Sequence, residues 1–330
     1  MKRPSFSWRF VVVPIVGALL AGAALVAVWQ QQYITDWLTV NQYPPSAETI
    51  QLAEASYLNE HGAFLFYASR PEVESTQRFN EHCGQHERGS AILGCFVNDR
   101  IYLYKVNEQE LSGINEVTAA HEMLHAAYQR LSNSEQKRID ELLEREIERQ
   151  RHNTIFQERM KVYSHLPEVD KLNEYHSVIG TEIDEISDEL EQYYSTYFTD
   201  RSQVLVMHRH YSEKFTTLQQ EADTLSKELE QRADAINNRA TAYKRDSARY
   251  NEKVSKFNAN AQSGALSQRQ FTTERTALTV ERDRLNQTAN EINQSITAYE
   301  QDRKKLDGLA LHLTELNQSI DSSVAPPARI

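Results

Sequence analysis

Glycine and proline are scarce in this chain of 330 residues, with ten of the first and eight of the second. A strand-rich sandwich needs a turn every few residues and draws heavily on both, so that class is excluded and helix is favoured. Cysteine is scarcer still. Cys83 and Cys95 are too few for a disulfide scaffold or a cysteine-built zinc knuckle. Twelve residues apart, they can close one short loop, remain two free thiols or act as a redox pair; the single structural disulfide is the favoured reading. No long basic block occurs and the net charge is −11, which argues against nucleic acid as a partner.

Long apolar runs are also missing, with one exception. From Val11 to Trp29 the chain carries no charge, and about 19 apolar residues suffice to cross a hydrocarbon core of about 30 Å. Lys2, Arg3 and Arg9 precede the run and no basic residue follows until Arg70, so the bias of positive charge places the N-terminus in the cytoplasm and the rest outside. A cleaved signal peptide is the alternative, with Ala21, Ala23 and Ala24 as small residues for a cleavage site. An uncleaved anchor is favoured because the run continues past those alanines. The expectation is thus a single-pass cell-membrane protein with its main domain outside the cytoplasm.

After a polar linker closing at Pro44-Pro45, helical spacing begins near Ala47. Ala63 to Ala68 is a short apolar and aromatic run that suits a buried strand. Two β-prone runs flank Asn98-Asp99 and predict a hairpin. Ser112-Gly113 and Asn115 offer start signals for a helix ending near Leu131. A second, charge-rich helix is expected from Ser134 to about Val162, then a less regular stretch from Leu172 to Ile186, then a helix through Leu190 and Phe198.

The last third is periodic. Apolar residues recur every seventh position from Phe215 to Phe257, and again from Phe271 to Ile320 after Ser263-Gly264. Two such series joined by one turn predict an antiparallel coiled-coil hairpin. The companion positions are only partly apolar, with Arg232 and Arg239 among them, so the seam is narrow and leaves room for a coiled-coil partner or a homodimer.

The residues that carry chemistry are His121-Glu122-Met123-Leu124-His125. Four apart on a helix, His121 and His125 share a face and can present imidazole nitrogens to one metal ion. Glu122, beside the first ligand, is placed to take a proton from water held at that metal and to pass it to a leaving amine. Val117, Ala120, Leu124, Ala127 and Tyr128 supply an apolar face at helical spacing, which makes the segment a buried helix. The opposing readings are a chance match on an amphipathic helix, or a metal site without activity.

With the strand before it and the helical half after it, this pentad resembles the zincin metallopeptidases over roughly residues 90–200, and only the HExxH core is sharp. The resemblance implies Zn²⁺ and a protein or peptide substrate. The metzincin branch is excluded because Tyr128 and Leu131 stand where its glycine and third histidine belong. The gluzincin branch takes a glutamate from a later helix, and Glu182, Glu174 and His176 remain open, with Glu182 favoured for the sharp backbone approach that Gly180-Thr181 permits. Asn173-Glu174 partly resembles the thermolysin-like pattern, but Val178 occupies the aspartate position. The expected fold class is α+β, mostly helical. Its parts are a cytoplasmic stub and transmembrane signal anchor at 1–29, a linker at 30–46, a zincin-like domain at 47–210, the coiled-coil hairpin at 211–322 and a disordered tail at 323–330. His82, Cys83 and His86 offer a weaker second metal grouping, and His208, His210, Tyr193, Tyr194 and Tyr197 are weaker candidates for oxyanion donors. Two other functions stay open: a non-catalytic envelope scaffold built on the coiled coil, and an amidase with the same zinc–water chemistry.

Overall fold

The computed structural model describes residues 30–83, 92–161, 163 and 166–322. These are mostly helical, with one small three-stranded sheet, and they divide into two compact units. One, the body, runs to Lys214 and resumes at Asn317; the other is Phe215–Leu316. The expectation of a single-pass membrane protein is corrected here. No helix among the described residues is long and apolar enough to cross a membrane, because the two longest are charged along their whole length. The run from Val11 to Trp29, like the tail at 323–330, lies outside the described residues.

The stretch expected as a polar linker forms helix α1 (Gln31–Gln42). Nothing in it breaks a helix before Pro44-Pro45, and a tertiary contact holds it. Asp36, buried, accepts from Arg130 Nε at 2.9 Å and Nη2 at 3.0 Å. Ser46 caps α2 (Ala47–Ala55) by accepting from the Thr49 amide. The expected strand at 63–68 is instead α3 (Glu60–Ala68). Asn59 caps it, its side chain accepting from the His61 and Gly62 amides at 3.0 Å each. A short run that is apolar throughout has no period with which to distinguish a buried strand from a buried helix. Gly62 also lets α3 close on the chain near Tyr197, whose carbonyl oxygen would lie 2.3 Å from an added Cβ.

The sheet has the order β1 (Glu72–Glu74), β3 (Arg100–Tyr104), β2 (Gly94–Val97). β1 runs parallel to β3, and β2 antiparallel to it, with Gly94 opposite Leu103 and Cys95 opposite Tyr102. Asn98 and Asp99 both take positive φ, 53° and 59°, which is the backbone that a two-residue hairpin turn requires. The expected disulfide is formed: Cys83, at the end of α4 (Thr76–Cys83), is bonded to Cys95 with their Cα atoms 5.9 Å apart.

Helix α5 (Ile114–Gln129) crosses the centre of the body, and Val117, Ala120, Met123, Leu124 and Ala127 on it are all buried. The single helix expected from Ser134 to Val162 is two, α6 (Asn133–Arg149) and α7 (Thr154–Lys161). Asn153 restarts the second by accepting from the Phe156 amide at 3.2 Å. The stretch expected to be irregular is α8 (Glu168–Glu182), for which Pro167 serves as the N-cap rather than as a breaker. Gly180 is the close approach between α8 and α5, since an added Cβ there would sit 2.4 Å from Leu124 Cδ1 and 2.8 Å from Tyr194 Cε1. Then come α9 (Asp188–Tyr194) and α10 (Arg201–Gln262), which continues into the second unit.

Within that unit, α10 and α11 (Gln268–Ile320) run antiparallel. Arg232 pairs with Asp302, Arg239 with Glu291, and Lys253 with Glu281, so one number rises as the other falls towards the turn at Gly264. Phe257 and Phe271 meet beside that turn, 5.2 Å between ring centroids.

Candidate metal centre

Two helices supply the site. α5 presents His121, Glu122 and His125 on adjacent turns, and α8 presents Asn173 and Glu174 against them. The Nε2 atoms of His121 and His125 stand 3.1 Å apart. Glu174 Oε2 is 3.7 Å from the first and Oε1 is 3.6 Å from the second. Two ligand atoms on a tetrahedral ion at about 2.05 Å are separated by about 3.3 Å. The triangle is therefore the size that an ion of the zinc class needs. Among the described residues this is the group of His, Cys, Asp and Glu whose ligand atoms converge in this way, all within 4.8 Å of one another.

The surroundings prepare the ligands. His125 Nδ1 donates to Asn173 Oδ1 at 3.1 Å, which fixes the tautomer and leaves the Nε2 lone pair facing the cluster. Burial lowers the pKa of His125, against the opposing pull of Glu174. Burial would raise Glu174, but His125, His121 and Arg159 outweigh it and hold the carboxyl below its usual range. His121 goes the other way: burial pulls it down, and Glu174, Glu122 and Glu182 together push it up. An anionic oxygen and two imidazoles form a donor set suited to a divalent metal.

Glu122 is buried on the same helix and lines the same cleft as His121 and Glu174. Its side chain lies over β2 at Gly94. A Cβ added to Gly94 would fall 2.6 Å from both Glu122 Cγ and Oε1, and 2.8 Å from Thr118 Cγ2. Only glycine at that strand position leaves the carboxylate where it is.

The expectation that Glu182 completes the metal set is corrected. Glu182 accepts from Arg159 Nε at 3.0 Å and Nη2 at 2.8 Å, and its Oε2 lies 3.5 Å from His208 Nε2. Glu174 and Glu182 are both on α8, two turns and about 12 Å of rise apart, so one helix cannot bring both to the same pair of histidines. Glu182 instead lines the cleft in its pair with Arg159, as do Tyr163 and Tyr211.

His176 points away from the cluster. Its Nε2 is 2.9 Å from Tyr193 Oη, Tyr194 Oη donates to its carbonyl at 2.7 Å, and the Tyr128 ring packs alongside. Burial, with the neighbouring His125 and His121, pushes its pKa down to about 3. Tyr193, Tyr194 and Tyr197 belong to this buried aromatic cluster rather than to the cleft. His208 is half-buried beside Glu182, and His210 is exposed. His82 stacks on Tyr102 and pairs with Glu74 at 2.8 Å, while Cys83 is consumed by the disulfide and His86 lies outside the described residues.

No protein-family model, curated protein or solved structure matches this chain. What the site can do is read from its own atoms.

Reading the sequence alone missed Asn173, Gly94 and Arg159. Asn173 had a signal, since it directly precedes Glu174 in the pattern already singled out. Gly94 and Arg159 had none, because their roles follow from contacts made at sequence distances of 28 and 23 residues.

Proposed function

We propose that this chain is a zinc-dependent peptidase of the zincin type, with His121, His125 and Glu174 as metal ligands and Glu122 as general base. The convergence of the three ligand atoms beside a buried Glu122 is the observation that carries this reading. Two histidines and a carboxylate are a set that zinc accepts with a coordination position left open. When bound, zinc supplies the electrophile that makes water acidic and polarises a peptide carbonyl.

The chain's own groups do the rest. Glu122 takes the proton from the attacking water and delivers it to the nitrogen of the leaving amine. Asn173 keeps His125 in the tautomer that donates through Nε2. Tyr211 lines the cleft, and burial raises its pKa, so the phenol stays protonated and can donate to developing negative charge. β2 lies at one end of the strand order, beside the cleft, and an extended peptide can pair with such a strand. The 215–316 unit is read as an antiparallel coiled-coil hairpin that recruits substrate or a partner chain. A purely structural role for the whole protein, with the hairpin as its working part, is the rival.

Hydrolysis of denatured casein by the zinc-loaded chain, compared with Glu122→Gln, tests the proposal. The expected result is one zinc per chain in both proteins and a loss of roughly 10²- to 10⁴-fold in rate for the variant. Equal rates would remove Glu122 from the chemistry, and absence of zinc from both proteins would leave the structural rival.

A further inference from the structure

The lining of the cleft contains a group with no part in the chemistry above. Arg159 is the one lysine or arginine among the described lining residues. Its Nε and Nη2 are committed to Glu182, and the guanidinium lies 5.8 Å from the centroid of the Tyr163 ring. Nη1 stands outside that pair. The side chain of Glu182 is 10% exposed and that of Arg159 is 40% exposed, so the arginine is the more open member of the pair. His208 Nε2 lies 3.5 Å from Glu182 Oε2.

Fixing a charged pair in a half-buried wall costs desolvation that apolar side chains of the same size would avoid, so packing alone does not explain it. A planar guanidinium held by its carboxylate partner is preorganised: the side-chain entropy of orienting it is already lost before a ligand arrives. The acceptor that suits such a donor best is another carboxylate. With a dication at the three ligands, Glu122, Glu174, Glu182 and Arg159 bring the cleft to neutrality, so a carboxylate preference would rest on the direction of the remaining guanidinium donor rather than on net charge.

Building on the peptidase reading, we propose that Arg159, held by Glu182, is a specificity-determining residue that anchors the substrate by a carboxylate. That carboxylate belongs to an acidic side chain near the scissile bond or to a free C-terminus close to it. Arg159 touches neither the metal nor the reacting atoms in this assignment. Its proximity to Glu174, whose carboxyl it helps to keep ionised, places it within electrostatic reach of the centre.

The test uses the full chain carrying Glu122→Gln, loaded with zinc, so that bound peptides are not consumed. Calorimetry would compare three acetylated hexapeptides with an otherwise alanine sequence: one with a central Glu and an amidated C-terminus, one with Gln in its place, and one without Glu but with a free C-terminus. The expected result is that at least one acid form binds ten-fold or more tighter than the Gln amide, and that adding Arg159→Gln brings the three together while zinc stoichiometry is unchanged. Which acid form gains tells a side-chain carboxylate from a terminal one. Arg159→Lys, which keeps the charge and loses the fork, should retain part of the preference. Equal binding of acids and amide would overturn the proposal. So would a preference that survives Arg159→Gln, since the carboxylate would then be going to the metal. A chain that takes up no zinc sinks the peptidase reading itself; the same comparison on the metal-free protein still overturns the Arg159 assignment if acid and amide bind alike.

Discussion

The body and the hairpin are made from similar helix-forming residues, yet they differ in what they bury. In the body, Asp36, Glu74, Glu122, His125, Glu146, His176 and Arg201 are hidden from solvent along with a continuous apolar core. Between Phe215 and Leu316, the buried residues are Leu229, Leu285, Ile292 and Leu316, and among the described residues no polar one joins them. A buried ionisable group is costly unless partnered, and a chain that only needs a stiff arm has no reason to carry one. Some of the body's buried charges secure structure. Arg201, for example, donates to the carbonyls of Ile183 and Asp184, just past α8. Those at the α5–α8 contact have another use, because two imidazoles and a carboxylate aimed at one point are a poor way to hold helices together and a good way to hold a cation.

This contrast can be broken most severely through packing. Met123 is fully buried between His121 and His125 on α5, whereas Leu285 is buried between α10 and α11. Met123→Ala should lower the opening free energy of the α5 and α8 amides by about 2–5 kcal/mol in native-state hydrogen exchange. Leu285→Ala should cost no more than about half of that, and only in the hairpin. Comparable losses in both would contradict the claim that the hairpin has little core.

A smaller effect is expected one residue before the carboxylate ligand. Asn173→Ala removes the acceptor that orients His125 and should weaken zinc binding by roughly 10- to 100-fold without changing stoichiometry. Competition with a chromophoric chelator measures it, and unchanged affinity would mean that the hydrogen bond does not orient the ligand. The buried histidine that is no ligand makes the smallest and most specific case. The pKa of His176 is depressed to about 3 in the fold, against about 6.5 in the unfolded chain. The unfolded state therefore binds the extra proton between these values, and stability that is complete above pH 6.5 declines as pH falls towards 3. His176→Gln should flatten the loss between pH 7 and 5, by up to about 1.4 kcal/mol per pH unit below 6.5. Denaturant midpoints at the two pH values provide the check, and an unaltered slope would show that His176 is not the group responsible.

The two regions were also legible to different degrees. A seven-residue spacing sustained over six or more repeats is a helical signal, and α10 and α11 are where it runs. The β-hairpin and α5 carried comparable local signals in Asn98-Asp99 and in the apolar face around His121. Elsewhere in the body, local signals were outvoted by contacts far apart in the chain. α3 lacks a period because its run from Ala63 to Ala68 is apolar on both its buried and its partly buried sides, and α8 contains a glycine that looks like a breaker until Leu124 and Tyr194 are placed against it. The placement of Glu174 beside the two histidines follows from that last point. As an irregular stretch, 172–186 leaves both Glu174 and Glu182 able to reach the histidines and favours Glu182 beside Gly180-Thr181, whereas as a helix it brings Glu174 to them.

Zinc affinity of the full chain beside Glu174→Ala and Glu182→Ala, measured by chelator competition at neutral pH, bears most directly on the metal centre. Loss of a ligand should exceed the effect of losing a ligand's partner, so Glu174→Ala is expected to weaken zinc by more than about 100-fold. Glu182→Ala is expected to stay within about tenfold of the parent while freeing Arg159. The reverse order, or zinc retained in full by Glu174→Ala, would contradict a site built from His121, His125 and Glu174.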